Sequence, residues 1–169
     1  EGWLTVIHEI GHAVGLGHPF TDAGQTGPQL PRDTNNHLYT QMSYNRTWQV
    51  PGVRNGVAPD GNDYGIDTPM LYDVMEIQRL YGATVSQNSG NTIYRWTNAP
   101  FRETIRDTDG FDTIDASNFG TDQYIDLRPG RLSHIGENSH SLMIMHDTRI
   151  ENAIGGRGND RIVGNELNN

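Results

Sequence analysis

"HEIGHAVGLGHP", residues 8–19, is the stretch on which the reading of this chain turns. The surrounding "WLTVIHEIGHAV" (3–14) puts Trp3, Ile7, Ile10 and Val14 at three- and four-residue intervals, the apolar stripe of a packed helix. On that helix His8 and His12, four apart, share one face and can point at one ion. Gly15 is a natural stop, because glycine tolerates the left-handed conformation of a helix C-terminus. The turn there lets His18 approach the same ion from outside the helix. Glu9 is rotated off the histidine pair, close enough to reach a metal-bound water without being a ligand, which is where a general base belongs. Three protein ligands with a position left for water mark a catalytic rather than a structural zinc site. A lone HExxH is open to a blander reading, two polar residues on a half-buried helix. Here five specified positions match within eleven residues, and the zinc reading is preferred.

Further along, "TQMSYN" (40–45) offers Met42 as a floor for the site and Tyr44 as a phenol directed toward the metal. His37, His134, His140 and His146 have no comparable spacing and read as surface or strand histidines. Residues 19–67 are rich in Gly, Pro, Asn and Asp and read as loops. A second helix is expected over 69–81, with Thr68 as N-cap, Pro69 in the first turn, an apolar face of Leu71, Val74, Met75 and Leu80, and Gly82 as its end. Beyond it the texture changes to short apolar runs at 92–96, 113–116, 124–127 and 141–145, separated by Asp/Gly/Asn turns. These read as strands, and the natural domain cut falls near 82–86. "GGRGNDRIV" (155–163) fits the glycine- and aspartate-rich nonapeptide of calcium-binding β-helices.

Composition narrows the classes. The formal charge of −9 argues against a nucleic-acid partner, which requires a basic footprint. Acidic groups near glycines suit hard cations such as calcium instead. Without cysteine, disulfides and thiolate zinc sites are excluded, and any zinc must take His or carboxylate ligands. No apolar run is long enough to span a membrane. The chain opens at Glu1, just before a helical pattern, and reads as a piece of a longer protein.

HExxHxxGxxH with a later methionine turn is the metzincin signature. Together with Pro19 after His18, Tyr44 two residues after Met42, and "TPMLYDVMEIQRLYG" (68–82) followed by "IENAIGGRGND" (150–160), it makes the chain resemble the serralysins, secreted bacterial metzincins that carry a β-roll. The resemblance implies an α+β protein. Residues 1–82 would be the C-terminal part of a metzincin catalytic domain, with active-site helix, Met-turn and C-terminal helix. Residues 83–169 would be the N-terminal part of a calcium-binding, RTX-type parallel β-roll. The implied activity is that of a secreted zinc endopeptidase acting on proteins or peptides through a zinc-bound water, with Glu9 as general base. Tyr44 would be a fifth zinc ligand at rest that later stabilises the tetrahedral intermediate. Calcium would be held by Asn88, Gly90 and Thr92 of "NSGNT", by Asp107, Asp109, Gly110 and Asp112 of "DTDGFD", by Arg149 (carbonyl only) and Glu151, and by Gly156, Gly158 and Asp160. The resemblance further implies an upstream half-domain forming the other cleft wall, type I secretion through a signal beyond Asn169, and a monomer. The alternative from another class is a calcium-dependent structural or binding module with a non-functional protease remnant.

Overall fold

The computed structural model describes residues 2–20, 29–45, 66, 68–83, 88–97, 102–136 and 140–169. The chain divides into two compact units, Glu1–Ala83 and Thr84–Asn169.

The first unit carries two helices. Helix α1 spans Gly2–Ala13. Its buried residues are Ile7, His8 and Gly11, with Leu4 packed beside Ile7 against Ile66 and Met70. The expected stripe is therefore corrected: Trp3 and Ile10 are exposed. At about 100° per residue, both lie roughly a quarter turn from the centre of the Leu4–Ile7–His8–Gly11 face. Helix α2 spans Leu71–Tyr81, two residues shorter at its start than expected, with Met70 rather than Thr68 at the N-cap. The local reason is Asp73, whose carboxylate reaches back from the first turn to accept the Met70 N–H at 2.9 Å. Gly82, with φ +84°, closes the helix by donating its N–H to the Gln78 carbonyl. Met70 and Leu71 are buried, whereas Met75 and Leu80 of the expected apolar face are exposed. Of the stretch read as loops, residues 29–45 form turns without helix or strand, and 21–28, 46–65 and 67 lie outside the described residues.

The second unit is built from short strands. In chain order these are β1 (Ile93–Arg95), β2 (Arg102–Ile105), β3 (Thr113–Asp115), β4 (Tyr124–Asp126), β5 (Leu132–Ile135), β6 (His140–Ile144), β7 (Asn152–Ile154) and β8 (Arg161–Val163). Three of them, β1, β3 and β4, fall inside the runs read as strands, β6 overlaps the run 141–145, and β8 closes the nonapeptide. One sheet has the order β1-β3-β7, the other β2-β6-β5-β4-β8. The β1/β3, β3/β7, β2/β6 and β4/β8 ladders are parallel, whereas β5 pairs antiparallel with both β4 and β6. The segments flanking β5 are too short for the crossover of a dozen or more residues that a parallel pair needs, so the chain can only fold back as a meander. An apolar core fills the unit, with Ile105, Ile114, Ile125, Ile135, Leu142 and Ile144 supplied by both sheets. Because β1, β3 and β7 run parallel, the turns that precede them are brought to the same end of the sheet. Among the described residues no helix is long and apolar enough to cross a membrane.

Candidate metal centre

The helix and the glycine turn bring His8, His12 and His18 together, with their candidate ligand nitrogens all within 4.8 Å of one another. His18 Nε2 lies 3.2 Å from His8 Nε2 and 3.1 Å from His12 Nε2. Gly15 makes this possible: its φ of +93° reverses the chain after α1, and the Leu16 N–H still bonds back to Gly11. Two rings are oriented from behind. His8 Nδ1 donates to the Gln41 carbonyl at 2.9 Å, and His12 Nδ1 donates to the Leu16 carbonyl at 3.0 Å. A carbonyl only accepts, so the proton of each neutral ring sits on Nδ1 and each Nε2 presents a lone pair. Lone pairs at this separation repel unless a proton or cation lies among them. Two nitrogens each about 2.05 Å from one tetrahedral zinc lie roughly 3.3 Å apart, close to the His8–His18 and His12–His18 separations. The donor set therefore fits zinc.

Beneath the rings, Met42 is buried, and a Cβ added to Gly11 would fall 2.5 Å from its sulfur, so the turn holding Met42 presses directly on α1. That turn is fixed by Asp73. Its carboxylate accepts the Thr40 hydroxyl at 2.6 Å and the Gln41 N–H at 2.8 Å, in addition to the Met70 N–H, while Thr40 Oγ1 accepts the Met42 N–H. Burial pushes the Asp73 carboxyl up to about 6, against these hydrogen bonds and the nearby His8, which hold it down. Tyr44 is exposed and stands over the site, its ring stacked 5.6 Å from His8 and tilted 4.7 Å from His18. Glu9 is exposed on α1, and with Thr5, His8, Gln41, Ser43 and Tyr44 it lines a cleft of about 320 Å³.

His37 is corrected. It is neither on the surface nor in a strand but buried in a turn, with Nε2 donating to the Ser43 carbonyl at 2.8 Å. His134 lies in β5, where burial lowers its pKa, and His146 is exposed in the turn after β6. Spacing gave no sign of Asp73 or of the Gln41 carbonyl, because each acts on a residue 32 or 33 positions away.

In the second unit the acidic turns converge. Gly90 N–H donates to the Asp109 carbonyl, and a Cβ on Gly110 would meet the Gly90 carbonyl at 2.5 Å, so loops 88–92 and 107–112 lie against each other. Asp107 accepts the Tyr94 hydroxyl at 2.7 Å and the Asp109 N–H at 3.3 Å. Glu151 accepts the Asp112 N–H, and Asp112 Oδ1 accepts the Thr92 N–H, both at 2.8 Å. The other oxygen, Asp112 Oδ2, is buried with no hydrogen-bond partner among the described residues. Burial first, then the charges of Asp107, Glu151 and Asp109, raise the Asp112 carboxyl, with the Thr92 N–H opposing. A buried carboxylate oxygen left over among negative neighbours is the chemistry a hard cation completes, so this set fits calcium. Asn88 joins through a positive φ of 52° and a side-chain bond to the Tyr94 hydroxyl. Arg149 is exposed in the segment before β7. Gly156 and Gly158 lie against the Phe119 and Thr121 backbones, and Asp160 Oδ1 accepts the Gln123 N–H, tying the turn before β8 to the turn before β4.

Residues 78–168 match the family described as Peptidase M10 serralysin C terminal. The chain belongs to the serralysin family. It is 37% identical to a serralysin of Proteus mirabilis over 185 aligned positions, covering 99% of this chain and 36% of that protein. Serralysin C of Dickeya chrysanthemi is 35% identical over 96% of this chain and 36% of its own length. The metalloprotease AprA of Pseudomonas entomophila is 33% identical over 99% of this chain and 38% of its own. The chain thus spans little more than a third of the length of these serralysin-type relatives.

Proposed function

We propose that the first unit contributes the metal-binding half of a zinc endopeptidase active site, and that the second begins a calcium-binding β-roll. The observation that carries the reading is the convergence of three imidazole Nε2 atoms, two of them with Nδ1 locked on backbone carbonyls. His8, His12 and His18 would hold zinc, with the Tyr44 phenol as a further ligand. When bound, the ion supplies Lewis acidity toward the scissile carbonyl and the attacking water. Glu9, beside His8 on α1 and open to the cleft, takes the proton of the attacking water and returns it to the leaving amine. Tyr44, above the rings, donates a hydrogen bond to the oxyanion of the tetrahedral intermediate. Met42 and Gly11 set the floor, and Gly15 sets the reversal that delivers His18. In the second unit Asn88, Gly90, Thr92, Asp107, Asp109, Gly110, Asp112, Arg149 and Glu151 supply oxygens for calcium, with Gly156, Gly158 and Asp160 contributing to a further turn of the roll. Proteins or peptides are the substrates, and the setting is extracellular.

The test is elemental analysis of the dialysed chain with calcium present. One zinc per chain is expected, lost in His12→Ala. In the full-length parent protein Glu9→Ala keeps the zinc and lowers casein hydrolysis by about 10²–10⁴-fold. Hydrolysis undiminished in Glu9→Ala would remove the general-base assignment, whereas a parent protein that neither holds zinc nor hydrolyses casein would leave the calcium module as the better reading.

A further inference from the structure

Phe20 follows Pro19 just after the third histidine, at a position that HExxHxxGxxH does not specify. Its ring lies on the His18 imidazole, centroids 4.9 Å apart and planes 7° from parallel. The same ring meets Tyr44 at 5.0 Å and 51°, and Tyr44 meets His18 at 4.7 Å, so three rings close a triangle. Phe20 is half-buried, and its segment is tied down by the Leu30 N–H, which donates to the Pro19 carbonyl at 3.0 Å. A fixed backbone thus presents the phenyl face to the imidazole.

His8 and His12 sit on a rigid helix, and in-plane hydrogen bonds set the rotation of their rings. His18 stands on the loop beyond Gly15, off the helix. The imidazole lone pair lies in the ring plane, so tilt mis-aims Nε2. A parallel aromatic neighbour opposes tilt, because leaving the offset-stacked arrangement forfeits the pair attraction.

We infer that Phe20 is a positioning residue of the metal centre, fixing the ring plane of His18 by stacking and with it the direction of Nε2. The role rests on the zinc reading above and extends it to a side chain that need not touch the ion. Phe20→Leu keeps apolar bulk but removes the π face, and Phe20→Trp keeps the face. Zinc affinity is measured in the 169-residue chain by competition with a chromophoric chelator, with cobalt(II) as a spectroscopic probe and the urea midpoint taken alongside. Phe20→Leu should weaken zinc on the order of threefold to tenfold and change the visible cobalt bands, with Phe20→Trp within about twofold of the parent. A Phe20→Leu variant that moves the urea midpoint but neither zinc affinity nor cobalt bands would overturn the inference, since apolar packing alone would then explain the contact. Parent chain with zinc and an indifferent Phe20→Leu removes this role only. A parent that holds no zinc sensitive to His12→Ala removes both the role and the reading beneath it.

Discussion

In the first unit the imidazoles of His8, His12 and His18 gather, and backbone carbonyls of Gln41 and Leu16 hold two of them in place. In the second, carboxylates of Asp107, Asp112 and Glu151 are drawn together by backbone N–H groups, and one oxygen of Asp112 stays buried and unpaired. The difference is electrostatic. Backbone carbonyls on Nδ1 of His8 and His12 aim their Nε2 atoms, so much of the histidine geometry arises from ordinary hydrogen bonding. At Asp112 burial first, and then the neighbouring carboxylates, raise the carboxyl, a cost a cation would relieve. On the proposed reading the first region sets where a metal goes, while the second gains stability from one.

The contrast can be broken at either end. His12→Ala has the largest expected effect, a loss of zinc affinity beyond the roughly hundredfold that changes behind a ligand produce, read by chelator competition. Zinc retained at parental affinity would mean that the three rings do not act as one site. Next is Asp73, whose carboxyl burial pushes up to about 6. Folded, it keeps its proton up to about pH 6, whereas the unfolded chain releases it near the ordinary 3.8. The folded chain then binds more protons between those values, and metal-free stability falls as pH rises through that window, by about 3 kcal/mol in all. Urea titrations in chelator from pH 4 to pH 7 should show this slope, and Asp73→Asn should flatten it. A slope of the opposite sign would mean that hydrogen bonding to Thr40, Gln41 and Met70 outweighs burial.

Calcium sharpens the other side. At a hundred times its dissociation constant it should raise the unfolding free energy of the chain by about 2.7 kcal/mol. Asp112→Asn should remove most of that gain. Because the Asp112 carboxyl is raised, protons should compete with calcium at higher pH than at an ordinary aspartate, weakening binding as pH falls. A calcium response unchanged in Asp112→Asn would show that the orphaned oxygen is not part of the site. The smallest effect is expected at Gly11→Ala, whose methyl would crowd the Met42 sulfur and cost about 1–3 kcal/mol of stability, with zinc affinity moving less than in His12→Ala.

Much of this was legible in local pattern. The i, i+4 histidines and the glycine three residues on define a geometry that any helix followed by a left-handed turn must produce, and α1 with Gly15 at φ +93° produces it. The strands at 93–95, 113–115 and 124–126 lay inside runs readable from alternation and turn residues. Less legible was which side of α1 is buried, since Trp3 and Ile10 satisfy the same periodicity as Leu4 and Ile7, and periodicity does not say which apolar stripe meets a neighbour. The antiparallel β5 and the buried His37 were missed for a related reason: each depends on what the chain returns to.

The sequence by itself determined the candidate donors and their order: three histidines and one glutamate around a helix end, no cysteine, and acidic turns spaced between short strands. Short-range spacing on a helix or turn converts directly into direction, and that is why these could be read. The tertiary structure alone decided what holds the donors still: the Gln41 carbonyl behind His8, Asp73 beneath the Met42 turn, Phe20 against His18, and Glu151 on the Asp112 N–H. Most of these partners lie tens of residues apart along the chain, where spacing carries no geometric information until the backbone has folded back on itself. Even Phe20, only two residues from His18, stacks on it through a loop conformation that no periodicity prescribes.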